Sequence, residues 1–391
     1  MLNSPFSPWP SFSEEEANAV RDVILSNKVN YWTGQECREF EKEFAAWTGS
    51  EHAVALANGT VALDVALKAM GIGGGDEVIV TSRTFLASVS SIAIAGAVPV
   101  FADVDRDSQN VTAESIRAVL SPKTRAVVCV HLAGWPCDMD PIMALAQERD
   151  LFVIEDCAQA HGARYKGRAV GSIGHVGAWS FCQDKIMTTG GEGGMVTTND
   201  RELWSRMWSY KDHGKSWNAV YERHHPPGFR WLHESFGTNW RMMETQGAIG
   251  RIQLKRMPEW RARRMANAER IWAMATQLSG LRVPQVPADI EHAAYKCYVF
   301  VEPSVLKDGW NRDRIMDEVI LRGVPCFSGS CSEVYLEKAF DDTDWRPAEP
   351  LANAHELGET SLMFLVHPTL SAAEINKTCE VLAEVMALAT T

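Results

Sequence analysis

From Thr60 to Glu155 the chain alternates helix-forming stretches with short apolar runs, and this pattern constrains the fold most. The runs are Glu77–Thr81, Val98–Ala102, Ala126–His131 and Leu151–Glu155. They are apolar and largely β-branched, with little polar alternation. Strands buried on both faces of a parallel sheet have this composition. The helical stretches are 60–70, 85–95, 113–120 and 141–149. A strand, a crossover helix and a parallel strand return in a right-handed sense, so the pattern predicts an open sheet covered by helices on both faces.

Ser13-Glu14-Glu15-Glu16 has the spacing of a capping box and opens a helix to about Ser26. Phe40, Phe44 and Trp47 lie at helical spacing in a second helix. After the alternating region, two strand-like stretches between Val176 and Thr198 flank a glycine-rich turn, and a helix follows from Arg201 to about Tyr210. Asp212–Asn239 is polar, aromatic and His-rich, and reads as a long loop. Five of the 14 tryptophans fall between Trp204 and Trp240, which suggests an aromatic loop or interface. Met242 to about Gln277 reads as a helix broken or kinked near Pro258. A strand at Cys297–Glu302 and helices at 311–322 and 371–388 follow. We place the boundary of a smaller C-terminal domain at 258, giving units 1–257 and 258–391.

Composition excludes some functions. With 38 Lys+Arg against 50 Asp+Glu, the net charge is −12, opposite to the basic face that phosphate backbones require. No apolar run approaches the ~20 residues of a membrane span. The start of the chain lacks the basic and apolar segments of a leader. The nine cysteines are scattered, with no Cys-x-x-Cys pair. These features predict a cytoplasmic protein with reduced thiols, no metal and no nucleic-acid partner.

Three constellations carry chemistry. Asn58-Gly59-Thr60 opens a helix, whose free N–H groups either bind a phosphate or are simply capped by Asn58. Gly71-Ile72-Gly73-Gly74-Gly75-Asp76 reads as a helix stop and turn. Glu155-Asp156 ends an apolar strand, where open α/β sheets place their ligands. Such a carboxylate can be a metal ligand, a base or the partner of a protonated ring nitrogen. Lys185 lies in Ser180-Phe181-Cys182-Gln183-Asp184-Lys185, before Thr188-Thr189-Gly190-Gly191-Glu192-Gly193-Gly194. It is either a solvated surface charge or an amine able to form a Schiff base. A Lys Schiff base with an Asp on a pyridinium nitrogen is the protein's contribution to pyridoxal 5'-phosphate (PLP) chemistry.

With these residues in place, the chain resembles the DegT/DnrJ/StrS family of nucleotide-sugar aminotransferases, among the fold-type I PLP enzymes. The resemblance covers nearly the whole chain. It is strongest at Asn58–Asp76, Val98–Asp105, Leu151–Gly167 and Trp179–Asp200. It implies a three-layer, aspartate-aminotransferase-like α/β large domain with a mainly parallel sheet, and a smaller α+β C-terminal domain. It also implies residue roles. Lys185 would hold PLP and shuttle a proton. Asp156 would pair with the pyridine N–H, Phe85 would stack on the ring, and Gln159 would reach the phenolic oxygen. Gly59, Thr60 and Ser180 would bind the cofactor phosphate. Asn239 would reach a phosphate across the subunit interface of a homodimer with shared sites.

The implied reaction is amino transfer, with donation by L-glutamate to a 3- or 4-keto group of a nucleotide-linked sugar, for cell-surface polysaccharide, lipopolysaccharide or other amino-sugar synthesis. Pyridoxamine phosphate would be the intermediate carrier. A related branch of sugar dehydratases has His at the Lys185 position, so lysine favours amino transfer. Alternatives are a dehydratase, another fold-type I activity, or a non-catalytic binder of PLP or sugar nucleotide. The segment Gly323–Tyr335 departs from the common family pattern of His-Tyr followed by Pro and His, which leaves the sugar open.

Overall fold

The computed structural model describes residues 5–390; residues 1–4, where the leader reading begins, and Thr391 lie outside the described residues. Helices α1 (Glu14–Leu25) and α2 (Glu36–Thr48) come first. The expected capping box forms: the Ser13 backbone N–H and hydroxyl both donate to Glu16 Oε2, at 2.7 and 2.8 Å. The main sheet contains β1 (His52–Leu56), β2 (Glu77–Thr81), β3 (Val98–Ala102), β4 (Thr124–Val130) and β5 (Phe152–Asp156). A small hairpin, β6 (Arg164–Tyr165) and β7 (Arg168–Ala169), precedes the last two main strands, β8 (Val176–Ser180) and β9 (Gly194–Thr198). Strand order is β1-β9-β8-β5-β4-β2-β3. Strand β9 runs antiparallel to both neighbours, and the other pairs are parallel. The expected alternation is present, with α3 (Gly59–Ala69), α4 (Ala87–Ile94), α5 (Ala113–Ala118) and α6 (Met139–Arg149) as crossovers.

Side chains on the two faces of the sheet enter different cores. Val78, Val80, Ala126 and Val128 pack with α3 and α4. Ile79, Val127, Cys129 and Val153 pack with α5 and α6. This two-sided burial is why the strands carry no polar alternation. Each fully buried aliphatic side chain contributes about 1.5–3 kcal/mol.

Helix α7 (Arg201–Lys211) leads into the Asp212–Asn239 segment, whose only regular element is a π-helical turn at Asn218–Glu222. Then α8 runs from Glu244 to Ala275. It does not break at Pro258. That proline lies on the exposed face of the helix. Position 258 therefore lies inside one helix. The first half of α8 packs on α1 and α2. The second half packs Ala268, Ile271 and Ala275 into the C-terminal core.

That core is completed by a four-stranded antiparallel sheet, β10 (Leu281–Arg282), β12 (Cys297–Val301), β14 (Ser361–Phe364) and β13 (Cys326–Phe327) in spatial order. Helices α9 (Arg312–Leu321) and α11 (Ala372–Ala389) pack beside it, and α10 (Ala352–Thr360) leads into β14. Strand β11 (Ile290–Glu291) pairs instead with β6. All nine cysteines are free and seven are buried. Among the described residues no helix is long and apolar enough to cross a membrane.

Candidate active site

A cleft of about 610 Å³ opens where β5 and β8 end and α3 begins. Gly59, Thr60, Phe85, Asp156, Gln159, Ser180 and Lys185 all line it. Seven of the eight residues singled out in the sequence thus meet in one place.

One wall is an anion cradle. Asn58 caps α3, its Oδ1 accepting the Val61 N–H at 3.0 Å. The capped reading is therefore correct, yet the N–H groups of Gly59 and Thr60 still precede the first intrahelical bonds. Gly59 is required by close approach, since a Cβ there would stand 2.5 Å from Ser180 Cβ. The Ser180 hydroxyl completes this corner. Backbone donors, two hydroxyls and the positive helix end suit a phosphate.

Neighbouring carboxylates Glu155 and Asp156 leave β5 on opposite faces, as strand geometry dictates. Glu155 is fully buried, and accepts from the backbone N–H groups of Gly171, Ile173 and Gly174 at 2.6–2.8 Å. Its Oε2 is 2.9 Å from His131 Nε2. Burial alone would raise its pKa, but His131 and those N–H groups hold it below the usual carboxylate range. Glu155 thus braces a loop. With Cys157 and His131 it forms the one group of metal-ligand type among the described residues, already bound internally.

Asp156 faces the cleft. Its Oδ2 accepts the Ser88 hydroxyl at 2.7 Å, and Oδ1 accepts the Ala158 N–H at 3.1 Å. Ser88 in turn lies 2.8 Å from Thr84 Oγ1. Each carboxylate oxygen keeps a free lone pair for a further donor. Gln159 Oε1 accepts the Ala133 N–H at 2.8 Å, which fixes the amide so that its NH₂ is the free end. Phe85 is 71% exposed. It is no core aromatic but an uncovered ring at the cleft wall.

Lys185 is largely covered, with 17% of its side chain exposed. Its Nζ lies 3.9 Å from Asp184 Oδ1 and 5.4 Å from the Tyr295 ring centre. Its carbonyl accepts the Trp9 indole N–H at 2.8 Å. The Tyr295 hydroxyl donates to Asp184 at 2.5 Å. Burial would raise the Asp184 carboxyl, but Lys185 and this hydroxyl hold it low. Behind Lys185, burial and the Lys185 and Arg264 charges push His161 down to about 3, so it is neutral.

Asn239 is the residue not brought in. It is exposed, and bridges to Asp212 at the root of α7 rather than lining the cleft. The tryptophan expectation also divides. Trp208 is buried, and Trp204, Trp217 and Trp240 pack against the chain's own core. Only Trp231, with Phe229 and Phe236, stands outside, at 80%, 78% and 100% exposure.

Several site residues escaped the sequence reading: Ser88, Thr84, Asp184, Glu192, Tyr295 and Arg264. The signal for Arg264 was present. It occupies the stripe Met257, Trp260, Arg264, Ala268, Ile271, at helical spacing on the buried face of α8.

The family model for the DegT/DnrJ/EryC1/StrS aminotransferase family matches residues 10–383. The chain belongs to this family. An aminotransferase from Psychrobacter cryohalolentis is 64% identical, with a TM-score of 0.97 over 98% of this chain and 99% of that one. The dTDP-3-amino-3,4,6-trideoxy-alpha-D-glucose transaminase of Streptomyces venezuelae is 34% identical, over 83% of this chain and 82% of its own. A structure of Spr1654 from Streptococcus pneumoniae in its PLP form is 25% identical, with a TM-score of 0.87 over 99% of each chain. The protein is accordingly a PLP-dependent aminotransferase of three-layer α/β fold. Its residues fit the cofactor: an anion cradle that a Cβ at Gly59 would fill, a buried carboxylate with free lone pairs, an uncovered ring and one covered lysine amine.

Proposed function

We propose that this aminotransferase moves an amino group from L-glutamate to a 3- or 4-keto carbon of a nucleotide-linked sugar. The supporting observation is that Lys185, Asp156 and the Gly59–Thr60–Ser180 corner share one open cleft. Bound PLP would supply an electron sink and a carrier for the amino group. The protein does the rest. Lys185 Nζ anchors the cofactor and then moves protons at the reacting carbon. Asp156, steadied by Ser88 and Ala158, holds a proton on the ring nitrogen. Gln159, with its NH₂ free, would donate to the ring oxygen, and Phe85 would cover the ring face. One cleft serves both substrates in turn, so the kinetics are ping-pong.

The site is completed by a second copy of the chain, which contributes Asn239. The exposed position of Asn239, outside its own chain's cleft, supports this reading. The amino-charged enzyme is to be mixed with a panel of nucleotide keto-sugars while the PLP absorbance is followed. Its return with at least one 3- or 4-keto sugar is expected. Return only with amino-acid-derived keto acids would refute the sugar assignment.

A further inference from the structure

A second cavity, of about 340 Å³, adjoins the cleft, with Asp184 lining both. Its walls include Trp9, Arg264, Tyr295, Lys296, Phe327 and His367. Arg264 is 1% exposed. Its Nη1 donates to the Tyr295 carbonyl at 3.2 Å, and its guanidinium carbon lies 4.9 Å from the Trp9 ring centre. Nε and Nη2 have no partner. These two nitrogens form the side-on edge of the guanidinium, whose parallel N–H donors grip a carboxylate in two hydrogen bonds.

A second cation stands beside it. Lys296 has its Nζ 4.8 Å from the Tyr295 ring centre, and no hydrogen bond or ion pair holds it among the described residues. Burial pushes it down to about 8; Asp184 opposes this, and Arg264 and Lys185 add to it. The only carboxylate lining the cavity, Asp184, is already taken by the Tyr295 hydroxyl and Lys185. Burial likewise lowers His367, to about 3, so it adds no charge. The cavity therefore holds two cations against one carboxylate that is already engaged, next to the lysine that does the chemistry.

We propose that this cavity is the carboxylate subsite for the amino-acid donor, with Arg264 Nε and Nη2 gripping the carboxylate and Lys296 as the second cation. The assignment rests on the reading of Lys185 as the cofactor lysine. The volume accommodates a five-carbon diacid. The same chemistry would recognise the carboxylate of a uronic-acid sugar, so the test carries both probes.

Glutarate and D-glucuronate are titrated calorimetrically into the holoenzyme, into Arg264→Met, Arg264→Lys and Lys296→Met. Glutarate is expected to bind the wild type, to lose at least about tenfold in affinity in Arg264→Met, and to lose less in Lys296→Met and Arg264→Lys. The visible band of bound cofactor is expected to persist in all four proteins. Unchanged glutarate affinity in both methionine variants overturns the proposal, as does a wild type that binds glucuronate but not glutarate. If Arg264→Met does not fold, Lys296→Met decides alone. A missing cofactor band in the wild type would instead refute the Lys185 reading, independently of glutarate affinity.

Discussion

Within the cleft, Asp156, Gln159 and Asn58 each have a partner that fixes their orientation. Between Arg223 and Phe236, by contrast, three large aromatics stand in solvent, and the segment is held at its roots, by Glu234 N–H to the Gly214 carbonyl and the Arg223–Glu234 ion pair. The cleft draws on residues from Asn58 to Glu192, fixed by strand ends and a helix start in one sheet. The segment draws on one stretch of chain, and at its tip Phe229 and Trp231 pack edge-to-face on each other while both stay largely exposed. Exposed apolar surface of this kind marks a contact with something else. The residues proposed for the cofactor thus share one cleft in one chain, and the part proposed for Asn239 would come from another.

The largest effect should come from the cleft. Lys185→Ala removes both anchor and proton carrier, and should reduce transamination by at least about 10³-fold; steady-state assays with glutamate give the number, and residual turnover within tenfold of wild type would exclude the role. Asp156→Ala should lower turnover by about a hundredfold or more while leaving cofactor affinity less affected, because the phosphate corner is untouched. Equal losses in both would mean that Asp156 only holds the cofactor.

The segment is tested by complementation. Provided that Asn239→Ala alone is strongly impaired, mixing it with Lys185→Ala should restore about one site in four on random exchange of equal amounts. In each hybrid one site carries both lesions and the other neither. No recovery despite demonstrated hybrids would place Asn239 in its own chain's site. A smaller effect is expected from Gly59→Ala, whose methyl group meets Ser180: cofactor affinity should fall by about tenfold, worth about 1.4 kcal/mol, with turnover at saturating PLP less changed. The smallest should come from Phe236→Ser. In the isolated chain it loses no packing, so any fall in thermal stability should appear only where the oligomer forms, as a dependence on protein concentration.

The two regions also differed in how far sequence could reveal them. β2 and β3 begin and end where the apolar runs do, because burial on both faces leaves an unbroken hydrophobic signature. β1 went unread. His-Ala-Val-Ala-Leu is poor in β-branched residues, and its partner β9 lies about 140 residues away in sequence. Pro258 marked a break that the solvent face of α8 absorbs. The site residues inside motifs were legible because they lie at strand ends and a helix start. Ser88 and Tyr295 were not, since they act through contacts between elements distant in sequence. The tryptophans misled for the opposite reason: a local count cannot separate Trp208, which is buried, from Trp231, which is not.

The central claim is that Lys185, and no other lysine, carries the cofactor. Reduction of the purified holoenzyme with borohydride, followed by peptide mapping, tests it directly. The account predicts the pyridoxyl group on the peptide containing Asp184-Lys185-Ile186. Its recovery on Lys296, or on any other lysine, would contradict the account.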